Sequence, residues 1–144
     1  MKNNHFDYII AGGGLAGLTL LYYISQQPNL KRKSILVIDS DVKNSNDRTW
    51  CFWEKEAEFY EPIVSASWNN LKYISPTLNK SFELKKYTYK LVRSKDYYDL
   101  VRKSISGSNV FFKTEIIEGI EEIADFVKVK TVDNEYFSTY VFNS

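Results

Sequence analysis

Short apolar runs and one amphipathic segment alternate at the start of the chain. Phe6–Ala11 is almost wholly apolar and ends at glycine, which is typical of a strand buried on both faces of a parallel sheet. Apolar residues then recur with helical spacing over Leu15–Gln27 and stop at Pro28. A second apolar run covers Ser34–Asp39. This order predicts a strand–helix–strand unit with a right-handed crossover.

The middle of the chain has no long helical period. Alternating apolar and polar residues at 71–73 and 82–84 indicate two or three short antiparallel strands within residues 55–92. We therefore predict an α/β fold, a Rossmann-like FAD/NAD(P)-binding domain in which a parallel sheet carries an antiparallel β excursion.

The last third of the chain returns to helix and strand patterns. Ser94 is the predicted N-cap of an amphipathic helix, with Gly107 as its stop signal. Val110–Phe112 has the composition of the next parallel strand, and residues 126–132 and 136–142 that of a hairpin.

Composition and charge exclude several classes of protein. The chain has 144 residues, and its single cysteine and single histidine provide neither a disulfide nor a metal framework, which favours a reducing, cytoplasmic setting without a metal site. Nineteen basic residues against eighteen acidic ones give a net charge too small to create a positive electrostatic field that attracts nucleic acid. The longest apolar stretch, Leu18–Ile24, is too short to span a membrane, and no signal-peptide cleavage site follows the first residues.

The glycine motif lies where a nucleotide site requires it, between a strand and a helix. Gly12, Gly14 and Gly17 match the spacing that allows a tight turn, a close approach to a pyrophosphate and close helix packing. Asp39 follows 22 residues later, at a strand end, where a carboxylate can accept hydrogen bonds from ribose hydroxyls. The alternative is a glycine turn that only packs the helix. The predicted pyrophosphate loop comprises Gly12, Gly13, Gly14, Leu15, Ala16 and Gly17.

The identity of the dinucleotide follows less directly. Asp39 is compatible with FAD or NAD and disfavours the 2′-phosphate of NADP. The antiparallel excursion and the hairpin favour FAD, because a plain NAD domain would continue with further strand–helix units.

An aromatic block follows the second predicted strand. Within Asp47–Glu54, Arg48 offers a planar fork to a pyrophosphate, and Trp50, Phe52 and Trp53 offer faces to an apolar substrate or a cation. The alternative is that these rings simply pack the excursion against the sheet.

Four segments together resemble the N-terminal portion of the bacterial FAD-dependent lycopene cyclases, and the resemblance covers essentially the whole chain. They are, in order, DYIIAGGGLAGLTL, LVIDSD, DRTWCFWE and YKLVRSKDYYDLV. The octapeptide DRTWCFWE is by far the most specific of them.

The resemblance implies a non-redox isomerase that closes the ψ ends of lycopene into β-ionone rings, giving β-carotene by way of γ-carotene. It implies reduced FAD as cofactor, NAD(P)H as reductant, and lycopene in a membrane as substrate, so that the complete enzyme would touch a bilayer peripherally. By position, the glycines would hold the FAD pyrophosphate, Asp39 the ribose, and Arg48 a phosphate or the flavin edge. Arg93 corresponds to an arginine near FAD in flavin hydroxylases; its alternative is a solvated charge.

The acidic catalytic motif of such cyclases has no counterpart in residues 1–144. We therefore expect an N-terminal FAD-binding portion of a larger flavoprotein, with its catalytic residues beyond residue 144. Two other functions remain open from the residues: an FAD-dependent monooxygenase or oxidoreductase of related fold, and a nucleotide-binding module without catalysis.

Overall fold

The computed structural model describes residues 4–144, which contain eleven strands, two α-helices and a short 3-10 helix. They are, in chain order, β1 (His5–Ala11), α1 (Leu15–Gln26), β2 (Ile35–Asp39), β3 (Thr49–Glu54), the 3-10 helix (Glu61–Ile63), β4 (Val64–Trp68), β5 (Asn70–Ile74), β6 (Asn79–Glu83), β7 (Thr88–Arg93), α2 (Ser94–Ser104), β8 (Val110–Thr114), β9 (Ile117–Ile123), β10 (Phe126–Thr131) and β11 (Glu135–Asn143).

The chain divides into two compact units. One contains the chain up to Asn44 together with Val101–Ser144, and the other contains Ser45–Leu100. The first unit therefore holds the glycine loop, and the second holds the aromatic block.

A six-stranded sheet forms the first unit, in the order β8-β2-β1-β11-β10-β9. The pairs β8–β2, β2–β1 and β1–β11 are parallel. The pairs β11–β10 and β10–β9 are antiparallel and form a meander. β11 is long enough to belong to both parts, since its Glu135–Ser138 segment pairs with β10 and its residues up to Asn143 continue along β1. The carboxyl ends of β1, β2, β8 and β11 therefore lie at one edge of the sheet.

The core of this unit is mainly apolar. α1 buries Gly17, Leu18, Leu21 and Ile24. They share one helical face, because Leu18, Leu21 and Ile24 are spaced by three residues and Gly17 lies four residues before Leu21. β2 is buried from Ile35 to Ile38. A cluster of Ile9, Leu36, Ile38, Val129 and Tyr136 joins the parallel strands to the meander.

The second unit contains two antiparallel sheets. β3 and β4 flank β7 in a three-stranded sheet, and β5 pairs with β6 in a separate hairpin. α2 begins in this unit at Ser94, and its Tyr97 and Tyr98 are fully buried.

The predicted arrangement of a parallel sheet with an antiparallel excursion is confirmed, with differences in detail. Residues 55–92 contain parts of four strands rather than two or three, and β3 and β9 were not predicted as strands at all. The start of α2 also differs from the prediction, because Ser94 is the first residue of the helix and not the N-cap before it. The Ser94 hydroxyl bonds to the segment 45–48, while Asn46 Oδ1 accepts a hydrogen bond from Lys95 N at 3.1 Å. None of the described helices is both long and apolar enough to cross a membrane.

Candidate functional site

The glycine loop between β1 and α1 is held close to the sheet. Gly12 has a φ of 112°, a conformation that favours glycine, and its N–H donates to the Ile38 carbonyl at 2.8 Å. A Cβ on Gly17 would overlap the carbonyl oxygen of Gly12 and lie 3.0 Å from Ile10 Cγ2. Gly12 therefore makes the turn, and Gly17 lets helix and loop touch.

Gly14 differs from the other glycines of the loop because a Cβ there would meet no atom within 4 Å. It is the N-cap of α1, with a φ of −81°, and no side-chain hydrogen bond caps this helix. Packing within the described chain therefore does not require glycine at this position. The first turn of a helix presents backbone N–H groups and a positive dipole end that favour an anion. A ligand that approaches the loop closely would explain the missing side chain.

Asp39 ties the end of β2 to the glycine loop. Its Oδ2 accepts a hydrogen bond from Gly13 N at 2.7 Å, and its Oδ1 accepts one from Asp41 N at 2.9 Å. Lys43 Nζ lies 3.4 Å from Oδ1. The structure thus joins two residues that the sequence analysis placed in one site, Gly13 and Asp39.

An open cavity of about 420 Å³ lies at the carboxyl ends of β1, β2 and β11. Gly12 and Asp39 line it from the glycine loop and β2, and residues 115–120 line it from the segment after β8. In parallel sheets of this kind, ligands bind at this edge. Residues 115–120 were not predicted as part of the site, although the predicted strand at Val110–Phe112 placed the following residues at the same edge.

Glu115 fixes that segment in place. Its N–H donates to the Asp39 carbonyl at 2.9 Å, and its carboxylate accepts hydrogen bonds from Thr131, Asn134 and Tyr136 at 2.6–3.0 Å. Burial raises the pKa of Glu115, but these donors, with Lys113 nearby, outweigh it and hold the pKa below 4.5. Burial and the Glu115 carboxylate together raise the pKa of Tyr136. One ionised side chain therefore connects the cavity wall to the β10–β11 turn.

The two predicted arginines lie in the second unit, next to the start of α2. Arg48 N donates to Ser94 Oγ at 3.0 Å, and Ser94 N donates to the Arg48 carbonyl at the same distance. Thr49 pairs with Arg93 in the sheet register, so Arg48 and Arg93 lie at the same end of the β3–β7 pair. Both side chains are exposed, and Arg48 Nη1 donates to the Asp47 carbonyl at 3.1 Å.

The aromatic block forms β3 and sends its rings to opposite faces of the strand. Trp50 is half-buried and packs edge-to-face on Tyr97 and Tyr98, while Phe52 packs on Tyr60. Trp53 is 53% exposed and contacts Tyr89, with ring centroids 4.5 Å apart. Trp50 and Phe52 therefore pack within the second unit, as the alternative interpretation expected. One face of the Trp53 ring is exposed to solvent.

A charge cluster around the buried Lys90 of the second unit has no counterpart in the sequence predictions. Lys90 Nζ donates to Glu54 Oε2 at 2.5 Å and also to Glu61. The carboxylates of Glu54 and Glu61 raise the pKa of Lys90, so the ammonium stays charged. This cluster joins β3, β7 and the 3-10 helix.

The solved structures that this chain resembles share its fold at low sequence identity. One is p-nitrophenol 4-monooxygenase PnpA from Pseudomonas putida DLL-E4 (TM-score 0.75, 12% identity, 98% of this chain and 41% of that one). Another is halogenase PltM in complex with phloroglucinol and FAD (TM-score 0.67, 12% identity, 96% of this chain and 34% of that one). At such identities the likeness concerns the fold alone, and it confirms the predicted Rossmann-like FAD/NAD(P)-binding fold.

The sequence of this chain also matches a known protein and a family model. A glucose oxidase from Penicillium chrysogenum is 48% identical over 47 residues, which are 33% of this chain and 7% of the oxidase. The chain thus spans well under half the length of each of these relatives. A family model described as lycopene cyclase protein matches residues 7–139, from β1 into β11. That match takes in the glycine loop, Asp39 and the aromatic block alike, and the chain belongs to the lycopene cyclase protein family.

Proposed function

We propose that this chain is the FAD-binding part of a lycopene β-cyclase. The observation that carries the proposal is the family match over residues 7–139, with the glycine loop, Gly13 and Asp39 joined at one sheet edge within it. The resemblance of the fold to a halogenase solved with FAD supports the choice of flavin over a nicotinamide nucleotide.

The described residues fit a dinucleotide. The open space at Gly14 leaves room for a pyrophosphate beside the start of α1, where backbone N–H groups favour negative charge. We assign that contact to the loop Gly12–Gly17. Asp39 retains lone pairs beyond those used by Gly13 and Asp41, so its carboxylate has acceptor capacity for ribose hydroxyls.

The remaining assignments concern the second unit. The exposed guanidinium groups of Arg48 and Arg93 have the charge and the planar donors that a phosphate or a flavin edge would require. Trp53 offers an exposed ring for an apolar substrate, while Trp50 and Phe52 would support that surface from the packed face. Quadrupoles of such rings also favour a nearby cation.

The reaction proposed is the closure of the ψ ends of lycopene into β-ionone rings. A proton adds to an end-group double bond, the chain closes through a carbocation, and loss of a proton leaves the ring. Reduced flavin, kept reduced by NAD(P)H, would supply negative charge that stabilises the carbocation without net electron transfer. This chain's part is to bind the cofactor.

None of the residues proposed to bind the cofactor or face the substrate is the acid that delivers the proton. Because the chain spans 34–41% of the two flavoprotein structures described above, we propose that substrate and catalytic parts belong to further residues of a longer enzyme. Its substrate, lycopene, is dissolved in membranes, so the enzyme would contact a bilayer peripherally.

Expression of the encoding gene in a lycopene-accumulating bacterium tests this proposal. We expect β-carotene, with γ-carotene as the one-ring intermediate, in extracts analysed by chromatography. Unchanged lycopene in cells that contain folded, flavin-loaded protein would refute it. A hydroxylated or dehydrogenated product would instead support a monooxygenase or oxidoreductase, the function of PnpA, whose fold this chain shares.

A further inference from the structure

The hairpin β5–β6 presents exposed apolar side chains at its tip. Ile74 is 67% exposed, the highest value among the large apolar residues of the part of the chain that the structure describes, and Leu78 is 48% exposed. Between them the turn is closed, because Ser75 N donates to the Leu78 carbonyl at 2.7 Å and Leu78 N donates to Ser75 Oγ at 3.0 Å. The apolar tip is therefore a turn that is closed by hydrogen bonds.

One face of the same hairpin carries further apolar side chains, whereas Ile74, paired with Asn79, lies on the other face. Tyr73 lies opposite Lys80, and Leu71 lies opposite Phe82, so these four side chains share a face. Tyr73 and Phe82 are 54% and 42% exposed. Exposed apolar clusters of this kind mark interaction sites more often than isolated apolar residues do.

The hairpin and the residues directly after it are rich in lysine. Residues 70–87 contain four lysines and a single acidic residue, Glu83, although the whole chain carries a net charge of only +1. Lys80 Nζ lies 5.2 Å from the centre of the Phe82 ring. In the part of the chain that the structure describes, none of the four lysines forms an ion pair. The four are Lys72, Lys80, Lys85 and Lys86.

We propose that the β5–β6 hairpin docks on an anionic bilayer surface, with Ile74 and Leu78 entering the interface and the lysines binding lipid phosphates. Charge complementarity favours this occupant over an apolar protein groove, because lysine stems cover apolar surface while their ammonium groups reach the headgroups. The biological purpose of such docking rests on the proposed function, since lycopene is dissolved in membranes.

Flotation with lipid vesicles tests the surface directly. The 144-residue chain is mixed with vesicles of phosphatidylcholine containing about a quarter phosphatidylglycerol, or with phosphatidylcholine alone. We expect binding to the anionic vesicles, weaker binding to the neutral ones, and release as salt shortens the Debye length.

Two double variants separate the contribution of the lysines to vesicle binding from that of the apolar side chains. Lys72→Gln with Lys80→Gln should weaken binding roughly thirtyfold, since each lysine near an anionic surface contributes about fivefold. Ile74→Ser with Leu78→Ser should weaken binding to the anionic vesicles about tenfold or more, because two apolar side chains stay in water.

Matched controls carry the same changes elsewhere. Lys31→Gln with Lys103→Gln removes two exposed lysines, and Val42→Ser with Val132→Ser removes two apolar side chains that are 51% and 60% exposed. Both controls should bind as the unaltered chain does. Equal loss in a control and its matched hairpin variant, or no vesicle binding by the folded chain, would overturn the proposal.

The assay contains no flavin and no carotenoid. Failure of vesicle binding therefore refutes the docking surface and leaves the cyclase proposal standing. Vesicle binding together with unchanged lycopene in the expression experiment refutes the cyclase proposal alone.

Discussion

Replacement of Gly14 by alanine separates cofactor binding from folding. The added Cβ meets no atom within 4 Å, and the φ of −81° is accessible to alanine. Alanine is a poorer N-cap than glycine, but it also reduces the conformational entropy of the unfolded chain, and each effect amounts to about 1 kcal/mol or less. We therefore expect the free energy of unfolding to change by less than about 1 kcal/mol.

The effect of the same methyl group on FAD should be much larger. It occupies the space beside the first turn of α1, so the pyrophosphate would lose at least one hydrogen bond from a backbone N–H. A hydrogen bond to a charged group contributes about 1.5–3 kcal/mol, which raises the dissociation constant about ten- to a hundredfold.

Flavin fluorescence titration measures the dissociation constant for FAD, and urea unfolding of the same preparations measures the free energy of unfolding. Gly17→Ala serves as the contrasting variant, because its Cβ would overlap the Gly12 carbonyl and should cost about 1–3 kcal/mol of folding free energy. If Gly14→Ala binds FAD as tightly as the unaltered chain, or unfolds as readily as Gly17→Ala, the assignment of this loop is wrong.

Three further changes test the described contacts by urea unfolding. Glu115→Gln should lower the free energy of unfolding by about 1–3 kcal/mol at neutral pH, because three donors lose a carboxylate acceptor. The pKa of Glu115 is lowered in the folded state, so its contribution is present above pH 4.5 and disappears as the pH falls through the folded pKa; a constant gap between the two proteins on acidification would contradict this. Lys90→Met should lower the urea midpoint, since Glu54 loses its buried partner. The pKa of Lys90 is raised above 10.5, so its contribution is complete below pH 10.5 and is lost as the pH rises through the folded pKa; equal alkaline sensitivity of the two proteins would speak against it. Trp50→Ala should cost about 2 kcal/mol or more and Trp53→Ala less than about 1 kcal/mol, and the reverse order would refute the assignment of the packed and exposed faces.

The elements that form the proposed nucleotide site could be predicted from the sequence. β1, α1 and β2 have local signals that agree with the final structure: continuous apolar runs, helical spacing, and a proline after the helix. The contact between Gly13 and Asp39 follows from the same pattern, because a strand end and the neighbouring loop must meet at one edge of a parallel sheet.

Two strands escaped prediction for different physical reasons. β3 alternates between packed and exposed residues, but Trp50, Phe52 and Trp53 are all aromatic, so hydropathy does not distinguish its faces. β9 carries Ile117, Ile120 and Ile123 at a spacing of three, which does not match the period of two that marks a strand.

Long-range polar contacts could not be predicted from the sequence. Asn46 binds the first turn of α2 across 49 residues of chain, and Glu115 gathers donors from Thr131, Asn134 and Tyr136. Such partners carry no local pattern, since their pairing depends on which strands become neighbours.

The balance of reductant against product tests the central claim most directly. Lycopene and β-carotene are isomers, so ring closure requires no net electrons. The purified full-length enzyme, supplied with FAD, lycopene and NAD(P)H, should form β-carotene while consuming far less than one NAD(P)H per product molecule. Consumption of one NAD(P)H for each product molecule would contradict the account and identify a redox enzyme on the same fold.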